Sequence, residues 1–239
     1  MGRFARAVVA GLPHHITQRG SGRRAIFDSD ADRTLYVELL AEKAAQQGLQ
    51  IWAWCLMNNH VHLVAVPERP DSLARTIGRA HAEYARYLNI RRRSCGHLFQ
   101  ARFFSCLIGP QHLWMTVAYV ERNPQRAGLV AAPWDHPWSS ARVHVGLADE
   151  HGLTDLRRWQ LEYTPERWRQ VLLSSVDEEA DLERLRRATL TGRPFCEATP
   201  AAELEVLLAR PLAPRRRGRK KAQTAVAAGP PLVASAGEW

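Results

Sequence analysis

One eighteen-residue run limits the possible folds more than any other part of the chain: "LQIWAWCLMNNHVHLVAV", residues 49–66. It is too apolar for a surface segment, and two adjacent asparagines interrupt it. Asparagine tolerates turn geometry and caps its own backbone, so Asn58 and Asn59 read as the turn of a β-hairpin between two buried strands. The second strand begins with an oddity. His60 and His62 are two apart, so on a strand they share a face, while Val61, Leu63 and Ala65 point the other way.

The flanking segments alternate in period. "PHHITQRG" reads as a strand ended by glycine, and "SDADRTLYVELLAEKAAQQG" as a helix with Ser29 or Asp30 as N-cap and Gly48 as the stop. After the hairpin, "DSLARTIGRAHAEYARYLNIRRR" is an amphipathic helix and "GHLFQARFFSCLIG" a strand region. "PQHLWMTVAYVERN" is a further helix, expected to stop at Asn123 because Pro124 disfavours a helical predecessor. The order β-α-β-β-α-β predicts an α+β, ferredoxin-like split βαβ: an antiparallel sheet with helices on one face, plus an added helix. We divide the chain into residues 1–148 carrying this unit, a helical extension at 149–212, and a basic, disordered tail at 213–239. In the extension, Thr199 followed by Pro200 is a helix start.

Two imidazoles on one strand face can hold one metal ion but need further ligands. The helix ending "AYVERN" places Tyr119 and Asn123 one turn apart on a common face. Asn123 offers an amide oxygen suited to Mg²⁺ or Mn²⁺, and Tyr119 a phenol able to act as a covalent nucleophile. Read singly, Tyr119 is also an ordinary core tyrosine and Asn123 an ordinary helix C-cap. Tyr84 and Tyr87, three apart on an amphipathic helix, read as core. A zinc hydrolase built on the same histidines lacks an evident third ligand and carboxylate base. The four cysteines contain no C-x-x-C pair, so they read as reduced, mostly buried thiols.

The combination of "NNHVHLV" with a downstream "YVERNPQRAGLV" resembles the REP-associated tyrosine transposases, members of the histidine-hydrophobe-histidine superfamily of single-strand nucleases. "GLPHHITQRG", "GHLFQARFFS", "PWSSAR" and "TGRPF", with a later "RRRGRKK", follow in the family's order. The resemblance implies a metal-dependent enzyme that cleaves and rejoins single-stranded DNA near REP-type hairpins through a 5′-phosphotyrosine. It assigns His60 and His62 to a divalent metal, Mg or Mn, and Tyr119 to the nucleophile. Asn123 stands where related enzymes carry a polar third ligand, often glutamine. A domesticated hairpin-binding protein without transposition activity is the alternative. A replication initiator or relaxase is disfavoured by the absence of a Walker-type phosphate loop.

The net charge of +9 fits a nucleic-acid partner. Arg19, Arg23 and Arg24 surround two glycines in "QRGSGRR", a loop able to face phosphates. "NIRRRSCGHLFQAR" adds Arg91, Arg92, Arg93 and Arg102. His14 and His15 are neighbours on a strand, so one is expected to face the core and the other to be available for base contacts. A phenol ionises unaided only near pH 10, so Arg122 and Arg126 are the expected sources of charge beside Tyr119. Arg215, Arg216 and Arg217, with Arg219, Lys220 and Lys221, are expected to add salt-sensitive affinity for DNA. No apolar run approaches the length of about 20 residues that spans a bilayer. We therefore expect a cytoplasmic, nucleoid-associated protein without a nucleotide cofactor, monomeric or homodimeric.

Overall fold

The computed structural model describes residues 6–174 and 179–197, with residues 202, 204–206 and 208. Four strands form one antiparallel sheet: β1 (His14–Arg19), β2 (Leu49–Met57), β3 (His60–Pro67) and β4 (Phe104–Leu107), in the order β2-β3-β1-β4. Two helices cross one face, α1 (Asp30–Gln47) and α2 (Ser72–Arg91). This is the split βαβ topology, and the fold is α+β as the period alternation predicts.

α1 starts at Ser29, whose hydroxyl accepts from the Asp32 amide while the Asp32 carboxyl accepts from the Ser29 amide, a reciprocal cap. It ends at Gly48, which adopts φ +61°. Ile16 on β1, Trp54 and Leu56 on β2, and Val61, Leu63 and Ala65 on β3 bury against Tyr36, Val37 and Leu40 of α1 and Leu73, Ile77 and Tyr84 of α2. Tyr84 is fully buried and donates its hydroxyl to the Ile26 carbonyl. A bulge between Ile51 and Ala53 reverses the side-chain parity of β2, so Ala53 and Cys55 face away from that core.

The opposite face is covered by the added helix and the helical extension. Its helices are α3 (Leu113–Arg126), the single turn α4 (Ala141–His144), α5 (Pro165–Leu173) and α6 (Glu179–Thr191). Ala53, Cys55, Val64 and Cys106 of the sheet share one core with Val117 and Val120 of α3, Trp168 and Leu172 of α5, and Leu182 and Leu185 of α6. The packing therefore runs without a seam across position 148. Both sheet edges are shielded, which blocks edge-to-edge pairing. Along β2, the Leu56 amide donates to Trp138 and the Ser140 amide to Trp54. Along β4, the Phe195 amide donates to Leu107 and the Gly109 amide to Phe195. The sequence segments "PWSSAR" and "TGRPF" are these edge covers.

Two expected boundaries shift. β4 is limited to four residues, because 96–102 loops across the end of β1 and touches it through a bridge between Gly20 and Phe99. α3 continues through Pro124 to Arg126 instead of stopping at Asn123. Proline lacks the N–H that would reach the Val120 carbonyl. The Asn123 amide nitrogen takes over, donating to the carbonyls of Tyr119 at 2.7 Å and Val120 at 3.3 Å, which repairs the helix. Among the described residues, no helix is long and apolar enough to cross a membrane.

Candidate active site

The two β3 histidines project from the sheet face that α3 and α6 cover. With the C-terminal half of these helices they enclose a pocket of about 380 Å³. His60, His62, Tyr119 and Asn123 all line it, so the two motifs, nearly sixty residues apart, converge. The rings of His60 and His62 lie 5.0 Å apart between centroids, and the Tyr119 ring stands edge-on to His62 at 5.7 Å. Tyr119 is 5% exposed, so the phenol sits inside the pocket and not on a free surface.

Burial sets the charge state of the imidazoles. It pushes His60 down to about 4, with Arg19 adding to the effect. It holds His62 well below the usual histidine range, aided by the neighbouring His15, His60, Arg19 and Arg186. Both rings are thus neutral at pH 7, the form that binds metal. The proton of His60 can be located from its neighbours. Asn59 Nδ2 donates to the Arg23 carbonyl at 3.0 Å, an atom that can only accept, so Asn59 Oδ1 faces His60. His60 Nδ1 donates to that oxygen at 2.6 Å, leaving Nε2 as its ligand atom. Asn123, its nitrogen engaged by the helix, retains Oδ1. Among the described residues no three His, Cys, Asp or Glu side chains form a metal cluster. Two neutral imidazoles and an amide oxygen nonetheless fit a divalent ion that keeps several water ligands, as Mg²⁺ does.

Positive charge surrounds Tyr119. The guanidinium groups of Arg126 and Arg186 lie 5.8 and 5.7 Å from its ring centre. Both also pair with Glu179, at 3.2 and 2.7 Å. Of the two arginines predicted for this role, Arg126 is there and Arg122 is not. Arg122 is buried, and it donates to the carbonyls of Leu172, Val171 and Ser174 at the end of α5. It therefore ties α5 to α3.

The predicted basic loop sits at the rim. Arg19 lines the pocket, and Arg23 and Arg24 are exposed on the adjoining turn. Gly20 is required there, since a Cβ would stand 2.2 Å from the Arg24 carbonyl oxygen. Arg102 is exposed but lines a different hollow, between α2 and the 96–103 loop. Arg91 and Arg92 are engaged by Asp28 and Asp32 at the start of α1. Arg215, Arg216 and Arg217 lie outside the described residues.

The sequence reading missed Thr189, Arg186 and Gln100, and it misjudged the strand histidines. Both His14 and His15 are buried, where only one was expected to be. His15 lines the pocket, and its Nε2 is 3.0 Å from His62 Nδ1. Thr189 and Arg186 come from α6, and Gln100 from the loop before β4. One signal was available: Thr189 lies on the same helical stripe as Leu182 and Leu185, a polar residue on an otherwise apolar face.

The model of the family "Transposase IS200 like" matches residues 8–123, from the approach to β1 through Asn123. No curated protein matches the chain. The REP-associated tyrosine transposase, solved bound to a REP hairpin, superposes with a TM-score of 0.53 at 20% identity, over 65% of this chain and 93% of that one. A transposase candidate from Deinococcus radiodurans R1 aligns over 51% of this chain and 97% of its own, with 19% identity and a TM-score of 0.35. With this sheet order, and with the paired histidines and the helical tyrosine inside the matched span, residues 8–123 resemble the IS200-like transposases, and the chain has the fold of a REP-associated tyrosine transposase.

Proposed function

We propose that the chain is a metal-dependent endonuclease and transposase of single-stranded DNA that cuts and rejoins strands beside REP-type hairpins. The observation that carries this reading is the meeting of His60, His62, Tyr119 and Asn123 in one pocket bordered by arginines. The structural neighbour solved with a REP hairpin supports a hairpin substrate.

His60, His62 and Asn123 hold the ion, with Nε2 of His60 and Oδ1 of Asn123 as donor atoms. Bound Mg²⁺ or Mn²⁺ supplies charge neutralisation at a phosphate oxygen. The Tyr119 oxygen attacks phosphorus, and the bond from phosphorus to the 3′-oxygen breaks. The 3′-oxygen leaves with a proton, and the phosphate stays on the 5′ strand as an ester of Tyr119. Arg126 and Arg186 stabilise negative charge as it develops around the phenolic oxygen and the phosphate. Another 3′-hydroxyl attacking the same ester reverses the sequence and joins a new strand. Arg19, Arg23 and Arg24 guide the strand to the rim through its phosphates.

The test is denaturing-gel capture of a labelled hairpin oligonucleotide with Mn²⁺. Wild type is expected to form a covalent adduct that Tyr119→Phe does not, while both retain hairpin binding. An adduct that persists in Tyr119→Phe excludes this nucleophile. Hairpin binding by a wild-type protein that forms no adduct favours a binding role without cleavage.

A further inference from the structure

A hydrogen-bonded chain leads from α6 to the second histidine. Thr189 Oγ1 is 2.8 Å from the Leu185 carbonyl, 2.7 Å from His15 Nδ1 and 3.3 Å from Cys106 Sγ. His15 Nε2 in turn is 3.0 Å from His62 Nδ1. Thr189, His15 and Cys106 are all buried, so water does not compete for these bonds.

A hydroxyl has one proton and two lone pairs. The Leu185 carbonyl can only accept, so the Thr189 proton goes there, the usual back-bond of a helical threonine. The two lone pairs then receive a proton from His15 Nδ1 and one from the Cys106 thiol, and the hydroxyl is saturated. A buried imidazole with no carboxylate beside it is neutral. With its proton on Nδ1, His15 presents a lone pair at Nε2, and the contact to His62 can form only if His62 Nδ1 carries the proton. The reverse polarity has Thr189 donating to His15, His15 to His62, and a proton on His62 Nε2. In that state His62 cannot ligate through Nε2. The direction of one threonine hydroxyl therefore decides whether this histidine can bind metal.

We propose that His15 and Thr189 are positioning residues that hold His62 as the Nδ1–H tautomer and so leave its Nε2 lone pair for the divalent ion. The second half of this rests on the reading above, in which His62 is a ligand; the tautomer itself does not. The relay also gives the C-terminal extension a role at the site: α6 carries the residue that sets the polarity.

The test uses full-length protein labelled with ¹⁵N at histidine, free of metal. Long-range proton–nitrogen correlations report which His62 nitrogen is protonated, and calorimetric titration with Mn²⁺ reports affinity. Wild type is expected to show Nδ1–H. Thr189→Val and His15→Phe are expected to populate the Nε2–H form and weaken Mn²⁺ binding by about 10- to 100-fold, as losing a ligand's outer hydrogen bond commonly does. Thr189→Ser and His15→Gln, which restore the hydroxyl and an acceptor, are expected to recover both readouts; a merely structural role would not give tautomer rescue. If His15→Phe fails to fold, Thr189→Val decides. An Nε2–H wild type, or unchanged tautomer and affinity in Thr189→Val, overturns the proposal. Wild type that is Nδ1–H yet binds no Mn²⁺ overturns the ligand reading and leaves the relay standing.

Discussion

Glu121, two residues from Tyr119, is fully buried between α3, α4 and α5. Its carboxyl group accepts from Ser140 Oγ at 2.5 Å, His144 Nδ1 at 2.5 Å and Trp168 Nε1 at 2.8 Å. Replacing Glu121 by Ala removes all three acceptor contacts at once. Ser140 has a second acceptor, the Trp54 carbonyl at 3.3 Å, so its loss is partly made good. His144 Nδ1 and Trp168 Nε1 have no second acceptor among the described residues. An orphaned buried donor costs about 1–3 kcal/mol, so two cost about 2–6 kcal/mol, with about 0.8 kcal/mol more for the deleted methylene. We expect Glu121→Ala to lose about 4 kcal/mol, a large share of the roughly 5–15 kcal/mol that stabilises a typical domain. At about 2–4 °C per kcal/mol for a chain of this size, the midpoint falls by about 8–16 °C. Glu121→Gln keeps one acceptor oxygen and is expected to lose about half as much. Urea unfolding with a shared m-value measures both, and adduct formation below the midpoint shows whether a loosened α3 misplaces the phenol. A loss under about 1 kcal/mol for Glu121→Ala refutes the claim that this carboxyl anchors α3.

The Asn123 repair of α3 predicts coupling: Asn123→Ala costs about 1 kcal/mol in the presence of Pro124, and less once Pro124→Ala restores the missing N–H. An additive double-mutant cycle counts against the repair. Arg122→Met, which removes the donors to the α5 carbonyls, is expected to lower stability by about 2 kcal/mol while leaving salt-dependent DNA affinity unchanged; a reduced salt slope restores Arg122 to the DNA surface. Burial holds His14 at about 4 and His15 and His81 at about 3, below the unfolded value near 6.5. The unfolded chain therefore takes up protons that the folded chain refuses as pH falls through 6.5. Stability should be flat above that point and drop below it by about 1.4 kcal/mol per pH unit per histidine. His81→Gln, which retains a polar partner for Tyr36, should make the slope between pH 4.5 and 6 shallower by that amount, and an unaltered slope removes His81 from the account.

What could be read in the sequence was what local period controls. The asparagine turn, the shared face of His60 and His62, and the one-turn spacing of Tyr119 and Asn123 each follow from neighbours in the chain. The topology followed because split βαβ units pack in few ways. The misses share a different origin. Arg122 and Arg126 are four apart and look equivalent in sequence. The docking of α5 then buries one against carbonyl oxygens and leaves the other beside the phenol. Pro124 looked like a helix stop because proline disfavours a helical residue before it; Asn123 is helical nonetheless, and its side-chain amide also replaces the donor that proline lacks.

The same reasoning explains why the site draws on α6 at all. A sheet face bearing His15, Thr17, His60 and His62 is too polar to bury under an apolar helix and too recessed to leave wet. Each donor on it needs an acceptor of fixed direction. Helix carbonyls are taken up within their own helix, but a threonine on the buried stripe offers an oxygen with its own proton already committed. Thr189 meets that need for His15, and Arg186, one turn earlier on α6, brings a cation to the phenol. α6 thus covers the polar strip with two groups of opposite demand, an acceptor over the imidazoles and a donor over the tyrosine. Thr189→Arg is therefore expected to weaken Mn²⁺ binding more than Thr189→Ala does, because it sets a guanidinium donor against the His15 Nδ1 proton; equal losses in a calorimetric titration count against this account.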